Sequence, residues 1–93
     1  MKVTTNSLIT KNKAILENEI DGEKIMMSLD TGRYYGLNKV ASRIWEIVNN
    51  SISVEKLIEL LLNEYEIDYE ECKKEVLKFL DILLKKKLIL ILK

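Results

Sequence analysis

The stretch that decides the fold runs from residue 14 to residue 37 and reads AILENEIDGEKIMMSLDTGRYYGL. Two apolar-rich runs, 14–20 and 23–29, flank the pair Asp21-Gly22. An Asp-Gly pair between two such runs is a strong hairpin signal, because both residues tolerate the left-handed backbone of a two-residue turn. The stretch therefore predicts two antiparallel strands joined at Asp21-Gly22.

A third strand is predicted directly after this hairpin. Residues 30–32 (Asp-Thr-Gly) give a second turn, and the following run Arg33–Leu37 contains a tyrosine pair, which favours strands. The three strands form an antiparallel meander, and Leu8–Lys11 could extend its first edge. Alternation along the second strand predicts a row of side chains that points toward the core, formed by Ile25, Met27 and Leu29.

The hydrophobic period changes to that of a helix after Asn38. Asn38, Ser53 and Asp68 precede three apolar-periodic segments as N-cap residues, which predicts helices over 39–49, 53–65 and 68–87. Trp45 lies on the apolar stripe of the first helix and is expected in the core. Residues 88–92 are compatible with an extended tail or with more helix. Because strands and helices are segregated along the chain, the fold class is α+β: a three-stranded antiparallel meander followed by three helices, with the shape of a winged helix-turn-helix.

Length and charge limit the possible functions. The 93 residues are enough for one domain, residues 1–93, with its own core. Fifteen basic and fifteen acidic residues give a net charge of zero, so no overall field steers the chain to nucleic acid or to an anionic membrane. No apolar run is long enough to span a bilayer, and the first residues lack an apolar signal core. We therefore expect a cytoplasmic protein.

The groups that commonly carry catalysis or bind metals are scarce. The chain has no histidine, no glycine-rich phosphate loop and no calcium-loop pattern of carboxylates. The single cysteine, Cys72, lies on the apolar stripe of the third helix without a histidine to activate it, so we interpret it as a small buried hydrophobe. We therefore expect no enzyme activity, no metal site and no cofactor.

A winged helix-turn-helix shape makes DNA binding an obvious alternative, but the charges disfavour it. The third helix begins with residues 68–71 (Asp-Tyr-Glu-Glu), so carboxylates stand where a recognition helix needs groups that attract phosphates. The lysines of this helix alternate with glutamates, which is typical of a solvated face: Lys73, Lys74 and Lys78 beside Glu71 and Glu75.

The third strand is the feature that most suggests a function. It is the last strand of the meander, so one of its edges offers unpaired N–H and C=O groups to another chain. Gly32 and Gly36 bracket the tyrosine pair, which suits a groove for an extended peptide that binds by strand addition. The alternative is that the third helix of the protein covers this edge.

Alternation also predicts the orientation of the third strand. Leu37 leads into the first helix and is expected to face the core, so Tyr35 shares its inward face and Tyr34 points the other way. The sequence leaves open whether the N–H group of Tyr35 faces an incoming peptide or the neighbouring strand.

Three segments, 21–28, 32–38 and 44–46, resemble the PqqD-like family, the recognition elements for ribosomally synthesised and post-translationally modified peptides (RiPPs). The similarity covers about residues 8 to 90 and is greatest to the stand-alone recognition proteins of lasso-peptide pathways. One position departs from the family pattern: Lys87 stands where the family commonly has glycine. The third helix could therefore continue past this position instead of ending at a glycine cap.

The resemblance implies that the protein binds the N-terminal leader of a ribosomally synthesised precursor peptide and presents it to a leader peptidase and other maturation enzymes. Its partners are then the leader and those enzymes. Because a free strand edge also allows self-pairing, we expect a monomer or a weak dimer. The implied leader-binding residues come from the third strand and the third helix: Arg33, Tyr34, Tyr35, Gly36, Leu37, Cys72, Val76, Phe79, Leu80 and Leu83.

Some of the five helix residues must belong to the core, because one helix stripe cannot seal the interior and also line a groove along its full width. Phe79 and Leu83 could be wholly structural. Within the family, the alternative function is that of a partner for a radical-SAM peptide maturase. Outside the family, the alternative is a small winged-helix DNA-binding regulator.

Overall fold

The computed structural model describes residues 2–29 and 31–92, which form six strands and three helices. Their order along the chain is β1 (Leu8–Lys11), β2 (Ile15–Ile20), β3 (Glu23–Ser28), β4 (Tyr34–Gly36), α1 (Lys39–Ile47), β5 (Ile52–Ser53), α2 (Val54–Glu64), α3 (Tyr69–Lys85) and β6 (Ile89–Leu92). Asp30, which was predicted in the second turn, lies outside the described residues. The α+β fold class is confirmed.

The predicted meander is present as the antiparallel sheet β2-β3-β4. Its first turn has two residues with positive φ, 52° at Asp21 and 82° at Gly22, as a type I′ hairpin requires. Strand β2 pairs with β3 from Ile15 opposite Ser28 to Ile20 opposite Glu23. The second turn closes with the Gly32 N–H group, which donates to the Ser28 carbonyl over 2.7 Å. The hairpin and the meander predicted from the sequence are thus confirmed.

Strands β1, β5 and β6 form a second antiparallel sheet, in the order β5-β1-β6. The expectation that Leu8–Lys11 extends the meander is therefore wrong, because this segment pairs with Ile89–Leu92 along its whole length and with β5 at Leu8 and Ile9. Residues 89–92, left open between tail and helix, are a strand. The physical reason is burial: Ile9 of β1 and Ile89 of β6 are both fully buried, so the pairing removes two apolar side chains from water.

The three helices begin at the predicted caps and end one or two residues earlier than predicted. The side chains of Asn38, Ser53 and Asp68 accept hydrogen bonds from backbone N–H groups three residues later, over 2.9, 3.2 and 3.1 Å. These bonds satisfy N–H groups that have no partner inside the helix, which fixes each helix start.

The third helix stops without a glycine. Lys87 has a φ of 60°, the left-handed conformation that glycine usually supplies at this position. The Leu88 N–H group donates to the Leu83 carbonyl over 2.9 Å and the Lys87 N–H group donates to the Leu84 carbonyl over 3.0 Å, which is the Schellman pattern. The side-chain amide of Asn12 also donates to the Lys87 carbonyl over 2.8 Å. The helix therefore ends at Lys85, and the departure from the family glycine does not lengthen it.

A single cluster of buried side chains joins both sheets to the helices. Its largest member is Trp45, which is fully buried as predicted, and Met26 is the member from β3. The prediction that Ile25, Met27 and Leu29 face the core is wrong: Met26 and Ser28 are buried and Leu29 is exposed. Because β3 carries apolar residues on both faces, alternation alone did not decide which face is inside.

Candidate functional site

Strand β4 lies at the edge of the meander. It pairs with β3 on one side, with Ile25 opposite Gly36 and Met27 opposite Tyr34. Within residues 2–29 and 31–92, no strand pairs with its other side. The predicted segment Arg33–Leu37 therefore contains an edge strand, over Tyr34–Gly36, with one side open to another chain.

The hydrogen bonds on either side of β4 determine which of its backbone groups face outward. The Ser28 N–H group donates to the Arg33 carbonyl over 3.0 Å, and the Leu37 N–H group donates to the Lys24 carbonyl over 2.9 Å. Successive residues of an antiparallel strand alternate in direction, so Tyr35 bonds to β3 like Arg33 and Leu37. The N–H and C=O groups of Tyr34 and Gly36 therefore point to the open side. This settles the question about Tyr35: its N–H group faces the neighbouring strand.

The side chains of β4 follow the predicted register. Tyr35 and Leu37 are half-buried and pack against the core, whereas Tyr34 is 72% exposed. The ammonium group of Lys86 lies 5.4 Å from the centre of the Tyr35 ring, within range of a cation–π contact. Since Lys86 is the C-cap of α3, this contact places the end of α3 beside β4.

Ser42 of α1 holds the end of β4 in place. Its hydroxyl group accepts from the Lys24 N–H group over 2.8 Å and donates to the Leu37 carbonyl over 3.1 Å. The hydroxyl group thus replaces one direct bond of the β3–β4 ladder and ties the helix to the meander. The sequence analysis did not identify this residue. A serine on the buried face of a helix nevertheless indicates a structural hydrogen bond, because a buried hydroxyl group needs a partner.

A groove of about 430 Å³ opens between the three helices, next to the end of β4. Asn38, two residues after Gly36, lies on its wall. The other lining residues come from α1, from the end of α2 with the following loop, and from the first half of α3: Val40, Ala41, Ile44, Leu61, Tyr65, Glu66, Ile67, Cys72, Glu75, Val76 and Phe79. Most of these side chains are apolar, and the size falls in the range of ligand pockets.

The five α3 residues named from the sequence fall into two groups. Cys72, Val76 and Phe79 line the groove, and of these Phe79 is the half-buried one. Leu80 and Leu83 do not line it and are buried in the core. The groove residues from α1 and from the α2–α3 loop were not predicted. Val40 of α1 is half exposed at the groove.

The charged groups in and near the groove are few and mostly acidic. The charged residues among its lining residues are Glu66 and Glu75, so no cation there would attract a phosphate. The guanidinium group of Arg43 donates two hydrogen bonds, of 2.8 and 2.7 Å, to the Glu64 carboxylate, and this pairing lowers the pKa of Glu64. Burial raises the pKa of the Cys72 thiol, which favours the thiol form over the nucleophilic thiolate. Among the described residues no group of His, Cys, Asp and Glu side chains could hold a metal ion.

Comparison with known protein families identifies the family to which the chain is related. The family model described as coenzyme PQQ synthesis protein D matches residues 23–89, from β3 to the start of β6. The chain belongs to the PqqD family. The matched segment contains β4, the groove and all three helices, so the candidate site lies within the part that defines the PqqD family.

Two solved structures have the same PqqD-type fold. One, described as "TbiB1 in Complex with the TbiA(beta) Leader Peptide", is 30% identical, has a TM-score of 0.81, and the alignment covers 86% of this chain and 93% of that one. The other, "Lasso peptide synthetase B1 complexed with the leader peptide", is 18% identical, with a TM-score of 0.78 and coverage of 88% and 96%, and shows the fold alone. A comparison with curated protein sequences finds no match. None of the helices that the structure describes could cross a membrane.

Proposed function

We propose that this protein binds the leader segment of a ribosomally synthesised precursor peptide, of the lasso-peptide class, and presents it to the leader peptidase and other maturation enzymes. The observation that carries the proposal is the open edge of β4 beside an apolar groove. The 30% identical TbiB1, whose structure holds a leader peptide, supports leader binding. The lasso-peptide class, rather than a role as a radical-SAM partner, follows from the sequence resemblance to the stand-alone recognition proteins of lasso-peptide pathways.

The leader adds to the meander as an antiparallel fourth strand. Its backbone bonds to the outward N–H and C=O groups of Tyr34 and Gly36, as in other cases of strand addition. Because the pairing is antiparallel, the leader residues that precede the paired segment lie beyond Gly36, toward Asn38 and the groove. Apolar side chains of this part enter the groove between α1 and α3.

Within the proposed site the residues have different roles. The β4 segment Arg33–Leu37 supplies the edge, with backbone contacts from Tyr34 and Gly36 and an inward anchor at Tyr35. From α3, Cys72, Val76 and Phe79 form the groove wall, while Leu80 and Leu83 support that wall from the core.

The protein acts by binding and has no catalytic step of its own. The groove holds neither a nucleophile with a base nor a metal cluster among its described residues, and PqqD-like recognition proteins are partners of enzymes. The cytoplasm, where ribosomes release such precursors, is the compartment that this function requires.

An amide chemical-shift titration with the synthetic leader of the cognate precursor tests the proposal. We expect shifts concentrated on Tyr34–Gly36 and on the groove residues of α1 and α3. Phe79→Ala is expected to weaken leader binding about tenfold while the protein stays folded. Leu80→Ala, its buried neighbour, is the matched control and is expected to lower stability by about 3 kcal/mol with a smaller effect on binding. Shifts confined to Lys73, Lys74 and Lys78, with a steep salt dependence, would contradict the proposal.

A further inference from the structure

The meander has a second face, opposite the helices, that is apolar and open to solvent. We call it the outer face and define it by Leu16, Ile20, Ile25, Met27 and Tyr34, which line one shallow groove together with the uncharged Asn18 of the same face and with parts of Glu17 and Met26. Leu16 and Ile20 are 53% and 55% exposed, and Tyr34 is 72% exposed. Exposed apolar residues that are contiguous on a sheet are typical of an interaction surface, whereas isolated ones are not.

Three of the four charged residues of the same strands, Glu17, Glu19 and Lys24, lie on the other face. Glu17 of β2 pairs with Lys11 over 3.0 Å, and Glu19 pairs with Lys24 over 3.1 Å. On the outer face the strands carry one charged residue, Glu23 at the hairpin end, although 32% of the chain is charged. An ordinary half-buried sheet is apolar inside and polar outside, whereas this sheet carries apolar side chains on its solvent-facing side as well as against the core. This distribution indicates a surface that another protein covers.

The outer face is continuous with the edge of β4. Leu16, Met27 and Tyr34 stand opposite one another across the three strands, so they form a row that ends at that edge. If a leader adds there, every second side chain of the leader points to the outer face and extends this row. This step rests on the proposed function. Leader binding then converts a three-stranded apolar face into a four-stranded one.

The size of the outer face argues against a second copy of this chain as its occupant. Two strands of six residues and one of three, about 4.8 Å apart and at about 3.4 Å per residue, cover roughly 250 Å². A stable complex needs about 800 Å² from each partner, so the outer face alone is too small to hold a dimer together. A partner of this face must also contact something beside it, and the element beside it is the bound leader.

We propose that the outer face, together with the outward side chains of the bound leader, docks the enzyme that processes the peptide, through an uncharged apolar patch on that enzyme. The enzyme then binds the loaded protein better than the empty one, because only the loaded protein presents the complete surface. In this way leader binding determines which precursor peptides reach the enzyme.

The test uses Leu16→Lys and Ile20→Lys, with Leu90→Lys as the control. Leu16 and Ile20 lie on β2, two strands away from the edge of β4, so a leader there does not contact them. Leu90 is 44% exposed on the other sheet and matches them in exposure and in the charge introduced. Leader affinity is measured by fluorescence anisotropy with the labelled synthetic leader, and enzyme affinity by interferometry with the purified leader peptidase that cleaves the cognate precursor.

We expect both β2 variants to bind the leader within twofold of the unmodified protein and to lose at least tenfold in affinity for the peptidase, while Leu90→Lys changes neither. Equal loss in Leu90→Lys, or unchanged peptidase affinity in the β2 variants, would overturn the docking surface and leave leader binding intact. A dimer in sedimentation that Leu16→Lys dissociates would assign the face to a second copy. Failure of the unmodified protein to bind leader would instead overturn the proposed function and this inference with it.

Discussion

Replacement of Gly36 by proline removes one N–H group from the open edge of β4. The alternation of hydrogen bonds places this N–H group on the side away from β3, so the sheet itself does not use it. Proline is tolerated at an edge strand when the missing N–H group faces outward. Gly36→Pro is therefore expected to stay folded and to lose a bond that only the leader would make.

The expected loss of binding free energy for the leader has two sources: one hydrogen bond is missing, and one carbonyl group of the leader is left without a donor. A bond of this kind contributes about 1 kcal/mol net, and an unsatisfied partner adds about 1 kcal/mol or more, so we expect roughly 2 kcal/mol. Since 1.4 kcal/mol corresponds to a factor of ten, leader affinity falls about thirtyfold. Gly36→Ala keeps the N–H group, and the added Cβ atom has open space around it, so this control is expected to bind normally.

Tyr35→Pro is the contrasting variant, because its N–H group faces β3. It is expected to break the β3–β4 ladder and to lower the melting temperature by about 10 °C, from a loss of roughly 2 kcal/mol. Binding is measured by fluorescence anisotropy with labelled leader, and folding by thermal melts of each variant. Equal leader affinity in Gly36→Pro and Gly36→Ala would refute the assignment of the outward N–H group, and with it strand addition at this edge.

Three further variants test the structure around the site. Lys87→Gly is expected to raise the unfolding free energy by about 0.5 to 1 kcal/mol in urea melts, because glycine adopts the positive φ of this position without strain; a destabilised variant would contradict the cap. Ser42→Ala leaves the Lys24 N–H group and the Leu37 carbonyl without their shared partner and is expected to cost about 2 kcal/mol, whereas a cost below about 0.5 kcal/mol would show that the link is dispensable. Cys72→Ala is expected to cost about 1 kcal/mol through a small cavity and to leave leader binding largely intact. Because burial raises the pKa of its thiol, Cys72 of the folded protein is expected to react with iodoacetamide at pH 8 far more slowly than free cysteine; rapid reaction would contradict its burial.

The parts of the fold that sequence predicted are those where one residue type has few conformational alternatives. Asp21-Gly22 permits the type I′ turn that few other pairs allow, and the cap at Asn38 satisfies a helix N–H group that has no other partner. The inward position of Tyr35 followed from Leu37, because a residue that leads into a helix packed on the sheet must point to the core. In each of these cases neighbouring residues in the sequence determine the local structure.

The predictions that were wrong concern features that depend on contacts between segments far apart in the sequence. Strand β3 has apolar side chains on both faces, so only the packed helices determine that Met26 is inside and Leu29 is outside. Leu8–Lys11 pairs with a strand about eighty residues later, and no local pattern encodes that choice. The groove was predicted in part for the same reason. The apolar stripe of the third helix indicated its α3 wall, whereas the contribution of α1 depends on how the helices pack against each other.

Hydrogen exchange at β4 tests strand addition most directly. The amides of Tyr34 and Gly36 point to the open edge, and the amide of Tyr35, already bonded to β3, serves as the internal reference. On saturation with the leader, exchange at Tyr34 and Gly36 is predicted to slow at least tenfold, while Tyr35 changes little. Unchanged exchange at Tyr34 and Gly36 in protein that is saturated with leader would contradict the account.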